Sequence, residues 1–99
     1  MQPPKLRTIV ELELFKARRA RLGYNVQTID EALQLFLWGL CKNPQEFGDA
    51  VPGMPDCYIG RTRPRTTSDG VTVPMLRVFF RVKDDDTVLL ASISKYEKP

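Results

Sequence analysis

Five arginines have the side-chain chemistry and the spacing to bind phosphate. Arg61, Arg63 and Arg65 recur at every second position, and Arg77 and Arg81 follow in a segment that alternates like a strand. Because side chains alternate across a strand, residues two apart share a face of the sheet. Guanidinium groups are planar and permanently charged, and they can donate two hydrogen bonds at once to phosphate oxygens. The pattern predicts a phosphate-binding sheet face, with an ordinary solvated charged face as the alternative.

Composition narrows the class of protein. The 99 residues, 42% hydrophobic and 27% charged, predict a single compact domain over residues 1–99. The net charge of +3 favours an acidic partner such as nucleic acid or an acidic protein segment. Because the chain has two cysteines and no histidine, we expect no metal site, no cofactor and reduced thiols. We also expect a cytoplasmic location away from membranes, since the chain lacks a signal-peptide core and an apolar run of membrane-spanning length.

Local patterns predict the elements that position the arginines. Apolar residues that alternate with glutamates predict a strand over residues 6–14. Residues 15–23 have the composition of a short basic helix, whose arginines we expect to form a solvated face rather than a binding site. Thr28 and Glu31 match a T-x-x-E capping box and predict a helix over residues 28–42.

Leu35 and Trp38 widen the apolar face of the second helix, and we expect both to pack in the core rather than against a partner.

The second half of the chain is predicted to form a sheet. Residues 66–74 are predicted to form a long connection. Three further strands are predicted, over residues 56–65, 75–83 and 87–94, the last of them central and buried on both sides. The fold class is therefore α+β, with two N-terminal helices packed on one face of a twisted, mainly antiparallel four-stranded sheet in the order β-α-α-β-β-β.

This order of elements resembles the RelE/ParE superfamily of bacterial toxins. Gly-Met-Pro-Asp-Cys-Tyr at residues 53–58 is similar to the loop that enters a strand in RelE-type toxins. Residues 76–82 resemble their strand with an arginine, two apolar residues and an aromatic one, and residues 87–95 resemble the last strand with its basic exit. The resemblance implies the toxin of a type II toxin–antitoxin system, closest to the RelE-like branch, which cuts mRNA on the ribosome, inhibits translation and needs no metal.

The resemblance also implies roles for individual residues. It implies catalytic roles for Arg61, Arg77, Lys95 and Tyr96. The arginine pattern itself makes Arg63, Arg65 and Arg81 candidates for RNA or phosphate binding. The chemistry would be in-line attack of a ribose 2′-hydroxyl on the adjacent phosphate, with arginines stabilising the charged transition state. Lys95 or Tyr96 would take part in proton transfer, and Glu97 is an alternative base. A frayed polar tail is the alternative interpretation of these last residues.

Two other functions remain open on the same fold. Ile59 stands where RelE-type toxins commonly have a lysine, which keeps open a ParE-like inhibitor of DNA gyrase and a non-catalytic binding protein. The expected partners are the ribosome and mRNA, or DNA gyrase in the alternative. For each function we expect an antitoxin whose apolar helix and acidic groups cover the second helix or the arginines.

Overall fold

The computed structural model describes residues 6–84 and 86–96. These residues form two α-helices, a short 3₁₀-helix at Pro44–Glu46 and seven strands. The helices are α1 at Glu13–Arg21 and α2 at Val26–Lys42. The strands are β1 at Thr8–Glu11, β2 at Asp49–Ala50, β3 at Cys57–Arg61, β4 at Arg65–Thr66, β5 at Thr72–Val73, β6 at Leu76–Val82 and β7 at Thr87–Lys95.

The main sheet has five strands in the described residues, in the order β1-β7-β6-β3-β2. The α+β class is confirmed, but the predicted four-stranded sheet is wrong by one strand. The additional strand β2 is only two residues long, with Asp49 opposite Ile59 and Ala50 opposite Tyr58, and it lies in a stretch rich in Gly and Pro that predicts a loop. The sheet is also mixed, because β1 pairs in parallel with β7 while the other neighbours are antiparallel.

Both helices contribute to one core against the same face of the sheet. The buried cluster contains Phe15 of α1 and a stripe of α2 at helical spacing, and these residues pack against the apolar faces of β6 and β7. The sheet contributes Leu76, Val78, Phe80, Val88, Leu90 and Ile93. Phe80 lies at the centre, with its ring edge-on to Phe36 at 6.3 Å and stacked on Tyr58 at 5.5 Å. The alternation predicted for residues 75–83 therefore assigns the core face of β6 correctly.

The predicted strand over residues 56–65 is too long. β3 ends at Arg61, and Thr62 continues the ladder by one hydrogen bond from its N–H to the carbonyl oxygen of Leu76. Pro64 has no N–H to donate, and the chain then leaves the main sheet. Residues 66–74 are not an irregular loop, because β4 and β5 pair there as a separate antiparallel ribbon.

The ribbon is attached to the start of α2. Asn25, not Thr28, caps the helix, since its side-chain oxygen accepts a hydrogen bond from the N–H of Thr28 at 2.8 Å. The predicted capping box is therefore wrong. Thr28 is buried and its hydroxyl donates to Asp69 at 2.6 Å, while Glu31 accepts hydrogen bonds from the N–H and the hydroxyl of Ser68. Contacts with the ribbon have displaced the local pairing that the sequence favours.

Leu35 and Trp38 were expected in the core and are exposed instead. Their exposed fractions are 70% and 52%. The buried stripe of α2 is formed by Ile29, Leu33, Phe36 and Leu40. Because α2 lies at the surface of the sheet, only one side of the helix is covered, and Leu35 and Trp38 lie outside that side.

The attachment of the ribbon predicts a specific pH dependence of stability. Hydrogen bonds from the hydroxyls of Thr28 and Thr67 hold the pKa of Asp69 below its ordinary value. A carboxyl with a lower pKa in the folded state stabilises the protein above its unfolded pKa of about 3.9, and this contribution is lost as the pH falls through the folded pKa. We expect urea midpoints measured at pH 7 and pH 3 to differ less for Asp69→Asn than for the unaltered protein.

Glu46→Gln is the matched control, because Glu46 is an exposed carboxyl in the 3₁₀-helix. It should leave the acid dependence close to that of the unaltered protein. If Asp69→Asn and Glu46→Gln lose stability with acid in parallel, the hydrogen bonds to Asp69 do not stabilise the fold.

Candidate functional site

The register of β3 and β6 brings Arg61 and Arg77 together. Their Cα atoms are direct partners in the antiparallel ladder, so the two side chains start on the same face of the sheet. Four pairs further along the ladder, Arg81 lies opposite Cys57 on that face. We call the side of β3 and β6 that carries Arg61, Arg77 and Arg81 the arginine face. It is the side opposite the helices.

Gly60 fixes the position of the strand that carries Arg61. Its Cα is opposite Val78 on the helix side, where a Cβ atom would lie 2.5 Å from the carbonyl oxygen of Phe47 and 2.6 Å from the ring of Phe36. Real Cβ atoms do not approach other atoms so closely, so only glycine allows α2 and the following chain to pack against β3 here. The next residue, Arg61, is therefore held on the opposite face.

Tyr96 completes the arginine face at the end of β7. Its N–H donates to the carbonyl oxygen of Met75 at 2.9 Å, which extends the ladder beyond Lys95. The Arg61 guanidinium carbon lies 5.8 Å from the centre of the Tyr96 ring. Arg61 also forms an ion pair with Asp49 at 3.1 Å, and its side chain is 46% exposed. A phosphate bound by Arg61 would share its guanidinium with that carboxylate.

Lys95 is placed differently from the other three residues predicted as catalytic. Its Cα is the partner of Leu76, a core residue, so its side chain starts on the helix side of the sheet. The Lys95 ammonium lies 5.1 Å from the centre of the Tyr24 ring. Arg77 and Lys95 nevertheless line one cleft.

Arg63 and Arg65 do not extend the arginine face. Arg63 lies between β3 and β4, and Arg65 in β4 donates to the carbonyl oxygen of Glu31 at 3.1 Å and lies 3.8 Å from its carboxylate. The spacing of two places them on one face only if the strand continues, and it ends at Arg61. Together with Arg61 they line a cleft at the edge of β3 that also contains the carboxylates of Glu46 and Asp49. The mixed charge of this cleft suits phosphate poorly.

A second cleft lies between the end of α1 and β7. It is lined by Arg18, Arg21, Leu22, Arg77, Ile93, Ser94 and Lys95, and has a volume of about 530 Å³. We call it the α1 cleft. It exists because β1 covers only Thr87 to Leu90 of the nine-residue strand β7. Sequence reasoning treated the arginines of α1 as a solvated face and missed this cleft, since only the parallel β1–β7 pairing brings α1 beside Arg77.

Within residues 6–84 and 86–96, no cluster of Cys, Asp and Glu side chains has the arrangement needed to hold a metal ion. No helix in this part of the chain is long and apolar enough to cross a membrane. Glu97, the alternative base, lies outside the described residues.

The architecture matches that of a known bacterial toxin. The free state of a double arginine-to-alanine mutant of the E. coli toxin RelE aligns with this chain at a TM-score of 0.56. This chain has a RelE-like fold. The alignment covers 93% of this chain and 85% of the RelE chain at 18% sequence identity, and no protein-family model or curated protein matches the sequence. The likeness confirms the fold that the sequence motifs imply.

The RelE-like fold places three of the four residues predicted as catalytic on one side of the sheet. Arg61 and Arg77 are cross-strand partners, and Tyr96 lies beside Arg61. Lys95 reaches the same region from the edge of β7, through the α1 cleft that it shares with Arg77. Asp49 in β2 contacts Arg61, and Tyr24 in the connection between α1 and α2 contacts Lys95. The sequence does not predict these contacts, because neither residue belongs to a local motif.

Proposed function

We propose that this protein is the toxin of a type II toxin–antitoxin system and cuts mRNA on the ribosome without a metal ion. The observation that supports this most strongly is the cross-strand pair of Arg61 and Arg77 on an exposed face of a RelE-like fold. Tyr96 beside Arg61 adds an aromatic ring and a hydroxyl to the same face. This combination provides charge for a phosphate and a stacking surface for a base.

The proposed reaction is in-line attack of a ribose 2′-oxygen on the adjacent phosphorus. A bond forms between the 2′-oxygen and phosphorus while the bond to the 5′-oxygen breaks, which leaves a 2′,3′-cyclic phosphate and a 5′-hydroxyl. Negative charge accumulates on the phosphate oxygens in the transition state. Arg77 is exposed and forms no ion pair within the described residues, so its guanidinium is available to these oxygens.

Proton transfer is assigned to the end of β7. The Tyr96 hydroxyl can donate a proton to the departing 5′-oxygen, and Arg61 lies close enough to its ring to orient it. Lys95 approaches from the α1 cleft, on the other side of Arg77, and in its neutral form it accepts the proton that the 2′-hydroxyl loses as the new bond to phosphorus forms. In this proposal Arg61 positions and neutralises the phosphate, and Arg77 stabilises the transition state. Lys95 accepts the proton of the 2′-hydroxyl, and Tyr96 donates a proton to the 5′-oxygen.

Mapping of mRNA ends tests the function directly. The protein is added to a translating extract, and primer extension on the mRNA should show new ends at codon positions that are absent from mRNA incubated without ribosomes. Inhibition of DNA gyrase supercoiling without any new mRNA ends would replace this proposal with the ParE-like alternative. An absence of both effects would favour a non-catalytic binding protein.

We further propose that an antitoxin binds the exposed side of α2. Leu35 and Trp38 present apolar area to solvent there, and the Lys42 ammonium lies 4.6 Å from the centre of the Trp38 ring. An apolar helix with acidic side chains would match this combination. The arginine face, with its excess of positive charge, is the second surface that an acidic antitoxin segment would cover.

Trp38→Ala should weaken antitoxin binding by roughly thirtyfold, because exposed tryptophans at interfaces commonly contribute about 2 kcal/mol. The Kd can be measured by calorimetry with the protein encoded next to this chain. Thermal stability should change little, since the Trp38 ring is half exposed. Leu14→Ala, on the exposed side of α1, is the control for loss of apolar surface. Equal losses of affinity in both variants would place the antitoxin elsewhere.

A further inference from the structure

The α1 cleft concentrates positive charge that no carboxylate compensates within the described part of the chain. Arg18 and Arg21 reach it from α1, Arg77 from β6 and Lys95 from β7, and no carboxylate lines it within the described residues. None of these four cations forms an ion pair within residues 6–84 and 86–96. Like charges that share a cleft repel one another, so an anion bound there would relieve the repulsion.

Arg19 shows that this charge is confined to one side of α1. It lies between Arg18 and Arg21 in the sequence, yet it pairs with Glu11 of β1 and lies 4.0 Å from Asp30 of α2. Among the described residues, the fold therefore neutralises the arginine that packs inward, whereas the two that line the cleft have no carboxylate partner. This arrangement differs from an evenly charged solvated helix, in which neighbouring cations and anions alternate.

We propose that the α1 cleft binds a backbone phosphate of the RNA strand, next to the phosphate held on the arginine face. Arg77 belongs to both surfaces, so a strand that crosses the arginine face past Arg61 continues into the cleft. Three guanidinium groups and one ammonium are well suited to phosphate oxygens, and the Ser94 side chain adds a hydroxyl. RNA as the ligand rests on the proposed function, whereas phosphate recognition rests on the cleft alone.

An acidic protein segment fits the cleft less well. Protein interfaces usually bury an apolar centre, and the cleft offers only Leu22 and the almost fully buried Ile93 as apolar lining. Leu35 and Trp38, which contribute exposed apolar surface on α2, line no part of this cleft. RNA, which has evenly spaced phosphates and needs little apolar surface, is the better match.

RNA binding without cleavage tests the proposal. The probe is a fluorescent single-stranded RNA of about twelve nucleotides, fully 2′-O-methylated so that no 2′-hydroxyl can attack. Anisotropy titrations over a range of salt concentrations compare the unaltered protein with Arg18→Ala/Arg21→Ala. Alanine is a good helix former, so α1 should persist in the variant. Arg18→Gln/Arg21→Gln is the second variant, and circular dichroism checks the fold of each.

The control removes the same charge elsewhere. Lys16→Ala/Lys83→Ala also lowers the net charge by two, but Lys16 lies beside Glu13 and Lys83 follows β6 at the far end of the sheet. We expect the Arg18→Ala/Arg21→Ala protein to bind the RNA about tenfold more weakly than this control at low salt. The slope of log K against log salt should fall by roughly 0.7 for each phosphate that the variant no longer binds.

Several results would overturn the proposal. Equal affinities and salt slopes for the two double variants would show that only net charge matters. If inorganic phosphate displaces the RNA at a concentration equal to that of the phosphate groups of the RNA, the cleft binds a small anion instead. If a poly-glutamate peptide binds more tightly than the RNA, the cleft binds an acidic protein segment instead. If the RNA binds as expected but translated mRNA is not cut, the proposed nuclease function fails while the phosphate site remains.

Discussion

Replacing Arg77 with alanine is expected to reduce the cutting of translated mRNA by about 10²- to 10³-fold, as is common when one group that stabilises transition-state charge is removed. Arg77 is the exposed guanidinium shared by the arginine face and the α1 cleft. Arg61 shares its charge with Asp49, so it cannot fully replace the missing group. The loss should appear mainly in the single-turnover rate of cutting on ribosomes, measured by primer extension.

Two further substitutions make this prediction specific. Arg77→Lys keeps the charge but not the two-pronged hydrogen bonding, and should give an intermediate rate. Lys83→Ala removes an exposed cation just beyond β6 and should cut at the unaltered rate. If the Arg77→Ala protein is folded and cuts as fast as the Lys83→Ala protein, the arginine face is not the catalytic site.

The second large effect concerns stability. Phe80→Ala is expected to lower the free energy of unfolding by about 3–5 kcal/mol, because a fully buried phenyl ring is replaced by a cavity. The ring contacts Phe36 of α2 and Tyr58 of β3, so its loss loosens the sheet and the helix together. Domains of this size are commonly stable by about 5–15 kcal/mol, so a large share of the total would be lost. Urea unfolding followed by circular dichroism measures it.

Phe79→Ala is the matched control for the loss of a phenyl ring. Phe79 is the preceding residue of β6 and lies on the arginine face, where it is only partly buried. We expect its substitution to cost less than half as much as Phe80→Ala, since part of its area already contacts water. Equal losses would mean that the arginine face is as tightly packed as the helix side, contrary to the structure.

Periodic patterns in the sequence predicted the elements that form the core. The alternation in residues 75–83 assigned Leu76, Val78 and Phe80 to the buried face of β6, and the helical spacing in α2 located its buried stripe. These predictions succeed because side-chain direction follows from local backbone geometry. The same geometry places Arg77 and Arg81 on one face of β6, whichever strand pairs with it.

Sequence patterns predict poorly those features that depend on contacts with a distant part of the chain. Thr28 and Glu31 match a capping box, but the ribbon of β4 and β5 binds both side chains instead. Leu35 and Trp38 look like core residues, yet α2 has only one covered side. Arginines at every second position do not indicate where a strand ends. The spacing therefore assigns Arg63 and Arg65 to the same sheet face as Arg61, although the strand ends at Arg61.

The sequence by itself determined an α+β fold of RelE-like type and the side of β6 on which its arginines lie. Only the tertiary structure decided that Arg61 is the cross-strand partner of Arg77, that Asp49 and Tyr96 lie beside Arg61, and that α1 brings two more arginines to Lys95. The reason is physical: local patterns fix which way a side chain points, whereas the pairing of strands far apart in the chain, such as β1 with β7, fixes what it meets.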